Sequence, residues 1–373
     1  MSLLHDIALT FIPKVGDITA RVLVTHFGSA EDVFSAKKKD LKGIPGIGDR
    51  TAAGILNHHS FERAEQELKF IEKYKIQALS FYHESYPKRL RNCFDAPFLI
   101  YFKGKADLNA EKVLSIVGTR NSTSYGKELC TRLLGDIKGH DPLIVSGLAY
   151  GIDGVAHKES VKNGIPTIGV LGHGLDRIYP AQHRELAEKM LAEGGLLTEF
   201  PSGTNPDREN FPKRNRIIAG MSDATVVVEA TVKGGALITA EIANSYNRDV
   251  FAFPGNVDLP FSEGCNFLIK TARANLITSI KDLEYLLGWQ EAKKVENPQL
   301  SLMPDLSADE RKIAELLKEK PGLRVDDLAI HCDLPLSKLA VTILEMEMRG
   351  LVIALPGKTY KLAINQGLFL GKS

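Results

Sequence analysis

The sequence predicts an α/β protein: one doubly wound parallel sheet, with a small helical domain before it and a helix-and-hairpin domain after it. Three patterns carry that prediction. Between residues 111 and 288, short apolar runs alternate with helical stretches: VLSIVG, LIVSG, TIGVLG, GLLTEF, ATVVVEA, DVFAFPG and NLIT. Near-continuous apolar strands spaced by helices belong to a parallel sheet covered on both faces. Near the N-terminus, IPKVGDITARVL (Ile12 to Leu23) is echoed by IPGIGDRTAAGIL (Ile44 to Leu56). Near the C-terminus, Ser307 with Glu310 three residues on makes a capping box at a helix start.

Taken in order, residues 1–75 read as a helical domain of helix-hairpin-helix (SAM-like) type. Each echoed copy places a glycine turn before a short helix, and Gly46 and Gly48 fit that pattern better than the first copy, where Lys14 replaces a glycine. Such turns either contact a DNA backbone weakly through free N–H groups or only pack; cations around them are few, which favours packing. A further helix runs from about Phe61 to Tyr74. Residues 76–110 read as a connecting segment ending in a short strand, Phe98 to Phe102, with Lys88, Arg89 and Arg91 on a solvated surface. Residues 111–288 form the Rossmann-like domain, 289–305 a polar, proline-bearing linker, and 306–373 a winged helix. The third helix of that last domain carries Glu345 and Glu347 against Lys338 and Arg349. An acidic helix repels phosphates, so a protein-contact or regulatory module is expected rather than a reader of duplex DNA.

Bulk composition narrows the class. The 373 residues are 44% hydrophobic and 25% charged, ordinary for a globular protein. Lys plus Arg number 47 and Asp plus Glu 46, so any polyanion site is a local patch. Cys93, Cys130, Cys265 and Cys332 are far apart, which speaks against a zinc site or a disulfide framework and suits a reducing compartment. The N-terminus lacks a basic-then-apolar leader and no run reaches the ~18–20 apolar residues of a membrane span. A cytoplasmic protein without a membrane partner, metal or cofactor is expected.

The strand ends hold the candidate site. VLSIVG leads into Arg120, LIVSG into Ser146, Gly147 and Gly151, TIGVLG into Gly172 and Gly174, and VVVEA into Gly234 and Gly235. Ligands of such sheets bind beyond the carboxyl ends of the strands. Small residues there build a floor of free backbone N–H groups suited to phosphate. The stretch FPKRNRIIAG adds Lys213, Arg214, Asn215 and Arg216 at a helix start, with Lys213 and Arg216 on one face. Arg120 pairs with Glu199 or Asp153, or is free for a ligand. Tyr179 packs, or stacks on a base.

Catalytic signatures are absent. There is no Walker GxxxxGK[ST], no GxSxG, no HExxH and no strict GxGxxG. His157 and His173 stand alone and read as packing or capping residues. Binding is favoured over turnover, and no catalytic residue is assigned. The competing enzyme reading is a nucleotide-processing, phosphoribohydrolase-like protein, in which KGGALIT supplies the phosphate loop and Glu199 or Glu229 the acid. A duplex-binding transcription factor using the winged helix is a third reading.

GTR (Gly118 to Arg120), SGLAYGID (Ser146 to Asp153), LGHGLDRIYP (Leu171 to Pro180), TEFP (Thr198 to Pro201), FPKRNRIIAG, GGALITA (Gly234 to Ala240), FAFPGN (Phe251 to Asn256) and GCNFLI (Gly264 to Ile269) resemble the motif series of the DNA-processing protein A family, DprA/Smf. The series spans the whole α/β domain. The resemblance implies a single-stranded-DNA-binding protein without catalytic activity that protects incoming DNA in natural transformation (competence) and loads a RecA-type recombinase. It also implies a homodimer through the Rossmann-like domain. It places Arg120, Gly147, Gly151, Lys213, Arg214, Asn215 and Arg216 in a DNA groove. The sequence departs from the family pattern at Gly234, where serine is frequent, and at Ala272, where glycine is frequent.

Overall fold

The computed structural model describes residues 2–289, 306–355 and 359–362. Residues 1–289 form one compact unit and 290–373 a second. The expected linker lies, apart from Trp289, outside the described residues.

The first unit opens with helices α1 (Leu3–Thr10), α2 (Asp17–Phe27), α3 (Ala30–Ser35), α4 (Lys38–Lys42), α5 (Asp49–Leu56) and α6 (Ser60–Tyr74). Gly16 and Gly48 are the N-cap residues of α2 and α5, so the two echoed hairpins are equivalent in structure. They differ in surroundings. Asp17 accepts the Phe98 N–H at 2.9 Å, so the start of α2 is turned into the protein. Asp49, at the start of α5, faces solvent and pairs with Lys42 at 3.0 Å.

The connecting segment holds more order than the sequence suggests. It forms β1 (Gln77–Ser80), a short helix α7 (Lys88–Arg91) and β2 (Leu99–Gly104). Both strands join the main sheet, β2 pairing antiparallel with β1 and with the β6 strand, Gly195–Thr198. Alternation along β2 explains its place. Leu99 and Tyr101 pack with the N-terminal helices, whereas Ile100 and Phe102 enter the core of the large sheet. Arg89, expected at a solvated surface, instead grips Asp223 and the carbonyls of Ala110 and Glu111.

The α/β domain continues with β3 (Val113–Val117), α8 (Ser124–Asp136), β4 (Leu143–Ser146), α9 (Ile152–Asn163), β5 (Thr167–Val170) and α10 (Arg184–Met190). After β6 come α11 (Asn210–Met221), β7 (Ala224–Val227), α12 (Gly235–Ser245), β8 (Asp249–Ala252), α13 (Pro260–Lys270), β9 (Asn275–Leu276) and α14 (Ile280–Leu286). The sheet order is β1-β2-β6-β5-β4-β3-β7-β8-β9, parallel from β6 to β9. Side chains of β3 divide as a doubly wound sheet requires. Val113 and Val117 join the core under α11 to α13, and Leu114 and Ile116 join the core under α8, α9 and α14. The order reverses between β3 and β7, so the crevice of the fold opens there.

In the second unit, α15 (Ala308–Glu319) carries the expected capping box, with both hydrogen bonds formed. A short strand β10 (Leu323–Arg324), α16 (Val325–Cys332), α17 (Leu336–Met348), β11 (Val352–Leu355) and β12 (Thr359–Leu362) complete a winged helix. Lys338 on α17 is paired with Asp309 at 2.6 Å, and Arg349 after it with Glu310 at 2.6 Å. Val341, Leu344 and Met348 are exposed on the same helix.

Ala272, two residues past the end of α13, has φ 54°. A Cβ is disfavoured in that left-handed region. Ala272→Gly should therefore raise stability by up to about 1 kcal/mol, read as a later midpoint in urea unfolding; an earlier midpoint would contradict the geometry.

Candidate nucleic-acid interface

A cavity of about 590 Å³ sits at the β3/β7 switch point. Its walls are the β3 tip with the turn to Arg120, the loop from Ala230 through Gly234 and Gly235 into α12, and the start of α11. Arg120, Arg208 and Arg214 line it against the single carboxylate of Asp153. Phe211 and Tyr179 also line it, their ring centroids 6.1 Å apart. The Arg120 guanidinium lies over Phe211, 5.3 Å from the ring centroid. Arg120 is exposed and, among the described residues, makes no ion pair, so of its two readings the one that pairs it with Glu199 or Asp153 does not hold.

Arg214 is the buried member, 4% exposed. Its Nη1 donates to the Val170 carbonyl at 2.7 Å, while its buried Nε has no hydrogen-bond partner among the described residues. Burial pulls the guanidinium down to about 10, opposed by the charge of Asp153. Burial likewise raises the Asp153 carboxyl, against the pull of Arg214 and the N–H groups of Ala149 and Gly147. Gly147 separates the two side chains: a Cβ there would lie 1.9 Å from Arg214 Nη1 and 2.5 Å from Asp153 Oδ2. A desolvated cation with an unused N–H beside a cavity favours an anion within it.

The FPKRNRIIAG cations do not form one clamp. Successive helix residues are turned by about 100°, and the three side chains take different roles. Lys213 is exposed and does not line the cavity; Arg214 points inward. Arg216 turns to the N-terminal helices, pairing with Asp17 at 2.8 Å, with Glu199, and with the Asp95 carbonyl. Its charge is thus spent inside the protein, which corrects its expected place in the groove. Burial pushes the Glu199 carboxyl up to about 7, although Arg216 pulls it down. Asn215 lines the cavity and donates to Gly235 O at 3.4 Å.

The glycine floor is likewise narrower than the motif suggests. Ser146, Gly147, Gly172 and Gly174 are buried and do not line the cavity. The Ser146 hydroxyl donates to Ile116 O at 2.6 Å. Gly147 makes room for Arg214, and Gly172 and Gly174 pack against Phe211 and the Pro201–Ser202 turn. Gly151, at φ 75°, brings α9 against the backbone of Thr119 and Arg120, where a Cβ would meet Thr119 O at 2.1 Å. Gly234 and Gly235 do line the cavity. Arg208 escaped the sequence reading; its position just ahead of Phe211 and the α11 helix start was the available signal.

The carboxylates of the enzyme reading are engaged elsewhere. Glu229 is buried and accepts the Thr123 N–H at 3.0 Å and its hydroxyl at 2.5 Å, at the start of α8. Glu199 is held by Arg216. Neither lines the cavity. His157 is buried between Thr167 Oγ1 and the Leu148 N–H, a packing role. Among the described residues no cluster of His, Cys, Asp and Glu suits a metal ion, and no helix is long and apolar enough to cross a membrane.

These features define a doubly wound α/β protein with an anion-suited, aromatic-walled cavity at its switch point, joined to a helix-hairpin-helix module and a winged helix. The family model of DNA recombination-mediator protein A matches residues 77–288, the DprA winged helix domain 298–358, and a helix-hairpin-helix motif 7–67. Protein Smf of Synechocystis is 32% identical over 388 residues, covering 95% of this chain and 97% of that protein. The chain belongs to the DNA recombination-mediator protein A (DprA/Smf) family. The structure is similar to the X-ray structure of DNA processing protein A from Streptococcus pneumoniae, with a TM-score of 0.63 and 30% identity over 76% of this chain and 97% of that one. It is also similar to DNA processing protein A from Helicobacter pylori, whose structure is described for its single-stranded DNA binding mode, with a TM-score of 0.53 and 27% identity over 58% and 97% of the two chains.

Asp153→Ala should cost about 1–3 kcal/mol in denaturant unfolding, because it removes the carboxylate that faces the buried Arg214 guanidinium. A loss under about 1 kcal/mol would mean that Arg214 does not depend on that carboxylate.

Proposed function

We propose that this protein binds single-stranded DNA in the switch-point cavity, protects it during natural transformation, and passes it to a RecA-type recombinase, without turning it over. The observation that carries the reading is the pairing of an exposed Arg120 over Phe211 with the half-satisfied Arg214 beneath. Guanidinium groups read phosphates, and aromatic faces accept any unstacked base, so the site suits a strand of arbitrary sequence. A duplex keeps its bases stacked and offers nothing to Phe211 and Tyr179. The H. pylori relative, described as binding single-stranded DNA, supports the same ligand class.

Arg120, Arg208, Arg214, Asn215, Gly234 and Gly235 are the proposed contacts, with Lys213 and Gly151 at the margins. Homodimerisation through the α/β domain would double the footprint and add avidity. Exposed apolar side chains on the loops after β7 and β8, Val232, Val257 and Leu259, suit such an interface. The winged helix fits a protein contact better than a DNA contact: its two cations near α17 are neutralised by carboxylates, and α17 presents apolar side chains to solvent.

Arg120→Ala and Phe211→Ala should each weaken binding to oligo-dT by about 1–3 kcal/mol in a fluorescence anisotropy titration, and Arg120→Ala should flatten the log–log salt slope by about 0.7. Unchanged affinity in folded variants would remove the cavity as the DNA site.

A further inference from the structure

We propose that a second groove carries the strand onward from the cavity, across the faces of α8, α9 and α10. The proposal rests on the reading of the cavity as a single-strand site. The groove, about 1230 Å³, shares Arg120 with the cavity and is otherwise lined by different residues, among them Lys127, Tyr150, Lys158, Lys162 and Lys189. Arg120 is therefore the junction of two concavities. Gly151, which holds α9 against the Arg120 backbone, lies in the groove wall.

Five Lys and Arg side chains line the groove against one carboxylate, Glu185. Glu185 is taken by Lys189 at 2.7 Å, and Lys162 reaches Glu159 at 3.4 Å. Arg120, Lys127 and Lys158 make no ion pair among the described residues, and all three are exposed. Lys158 and Lys162 are four apart on α9 and so lie along one face, a spacing that follows a chain rather than enclosing a single ion. Concave surfaces lined by one sign of charge concentrate a polyanion.

An aromatic side chain shares the groove with these cations. Tyr150 is 42% exposed at the groove, its hydroxyl donates to Gln182 Oε1 at 2.6 Å, and its ring stands edge-on to His183 with centroids 5.5 Å apart. A ring pinned at its hydroxyl end beside unpaired lysines is a platform for a base whose phosphates the lysines hold. The cavity has the same composition in Phe211 and Arg120, so the two concavities repeat one chemistry.

The test uses the full chain with Lys127→Ala/Lys158→Ala, its fold checked by circular dichroism, and anisotropy titrations with oligo-dT of about 4 and about 20 nucleotides, lengths that bracket a short and an extended footprint. The expected result is about a tenfold loss of affinity for the long strand, a salt slope flatter by about 1.4, and unchanged affinity for the short one. Lys127→Arg/Lys158→Arg should restore long-strand binding. No loss, an equal loss at both lengths, or a loss confined to a duplex of the same length would overturn the groove. If Arg120→Ala still weakens both strands while the lysine variant weakens neither, the groove fails and the cavity reading stands; if Arg120→Ala weakens neither, the cavity reading fails as well.

Discussion

The buried guanidinium of Arg214 is the constraint around which the switch-point crevice is assembled. It ties α11 to the β5 tip through the Val170 carbonyl and faces Asp153, near the start of α9, across Gly147. Two features of the SGLAYGID stretch serve that one cation: Gly147, without a Cβ to obstruct it, and the Asp153 carboxylate on the first turn of the next helix. Because α11 is held in this way, Phe211 on its first turn stands at the cavity wall under Arg120. Desolvating an arginine is costly, and an anion entering the cavity meets a charge whose hydration has already been surrendered.

The opposite side of α11 is held by a different device. Arg216 joins Asp17 of the first hairpin, Glu199 after β6 and the Asp95 carbonyl, all within the first unit. Nearby, Glu67 accepts the Ser202 N–H at 2.9 Å and pairs with Arg63 at 2.8 Å, anchoring the loop after β6 to α6. The N-terminal helices thus brace the helix that forms one cavity wall. In the first hairpin the aspartate following the glycine turn has become a docking group; in the second the corresponding aspartate remains in solvent beside lysines.

Much of this was legible in the chain. Each apolar run of residues 111–288 became a strand; the central ones are buried on both faces, whereas NLIT gives only the short, exposed edge strand β9. The capping box of Ser307 and Glu310 marked a helix start correctly, since it is a local hydrogen-bond exchange that needs no tertiary partner. What local pattern could not reveal was direction. Lys213, Arg214 and Arg216 lie within four positions and diverge in space, Arg216 held by Asp17 and Glu199 and Arg214 by the Val170 carbonyl. The same holds for β1, whose pairing with β2 is a tertiary event, and for Ser146, Gly172 and Gly174, which shape the crevice from behind. Tyr179 is the converse: a loop residue that only the fold brings to Arg208 and Phe211.

Amide hydrogen exchange with and without saturating oligo-dT tests most directly whether the arginine-lined, aromatic-walled space at the β3/β7 reversal holds the strand. The account predicts slowed exchange concentrated in residues 118–123, 206–215 and 230–239, with the winged helix unchanged. Protection confined to residues 306–362, with the switch-point loops exchanging as in the free protein, would contradict it.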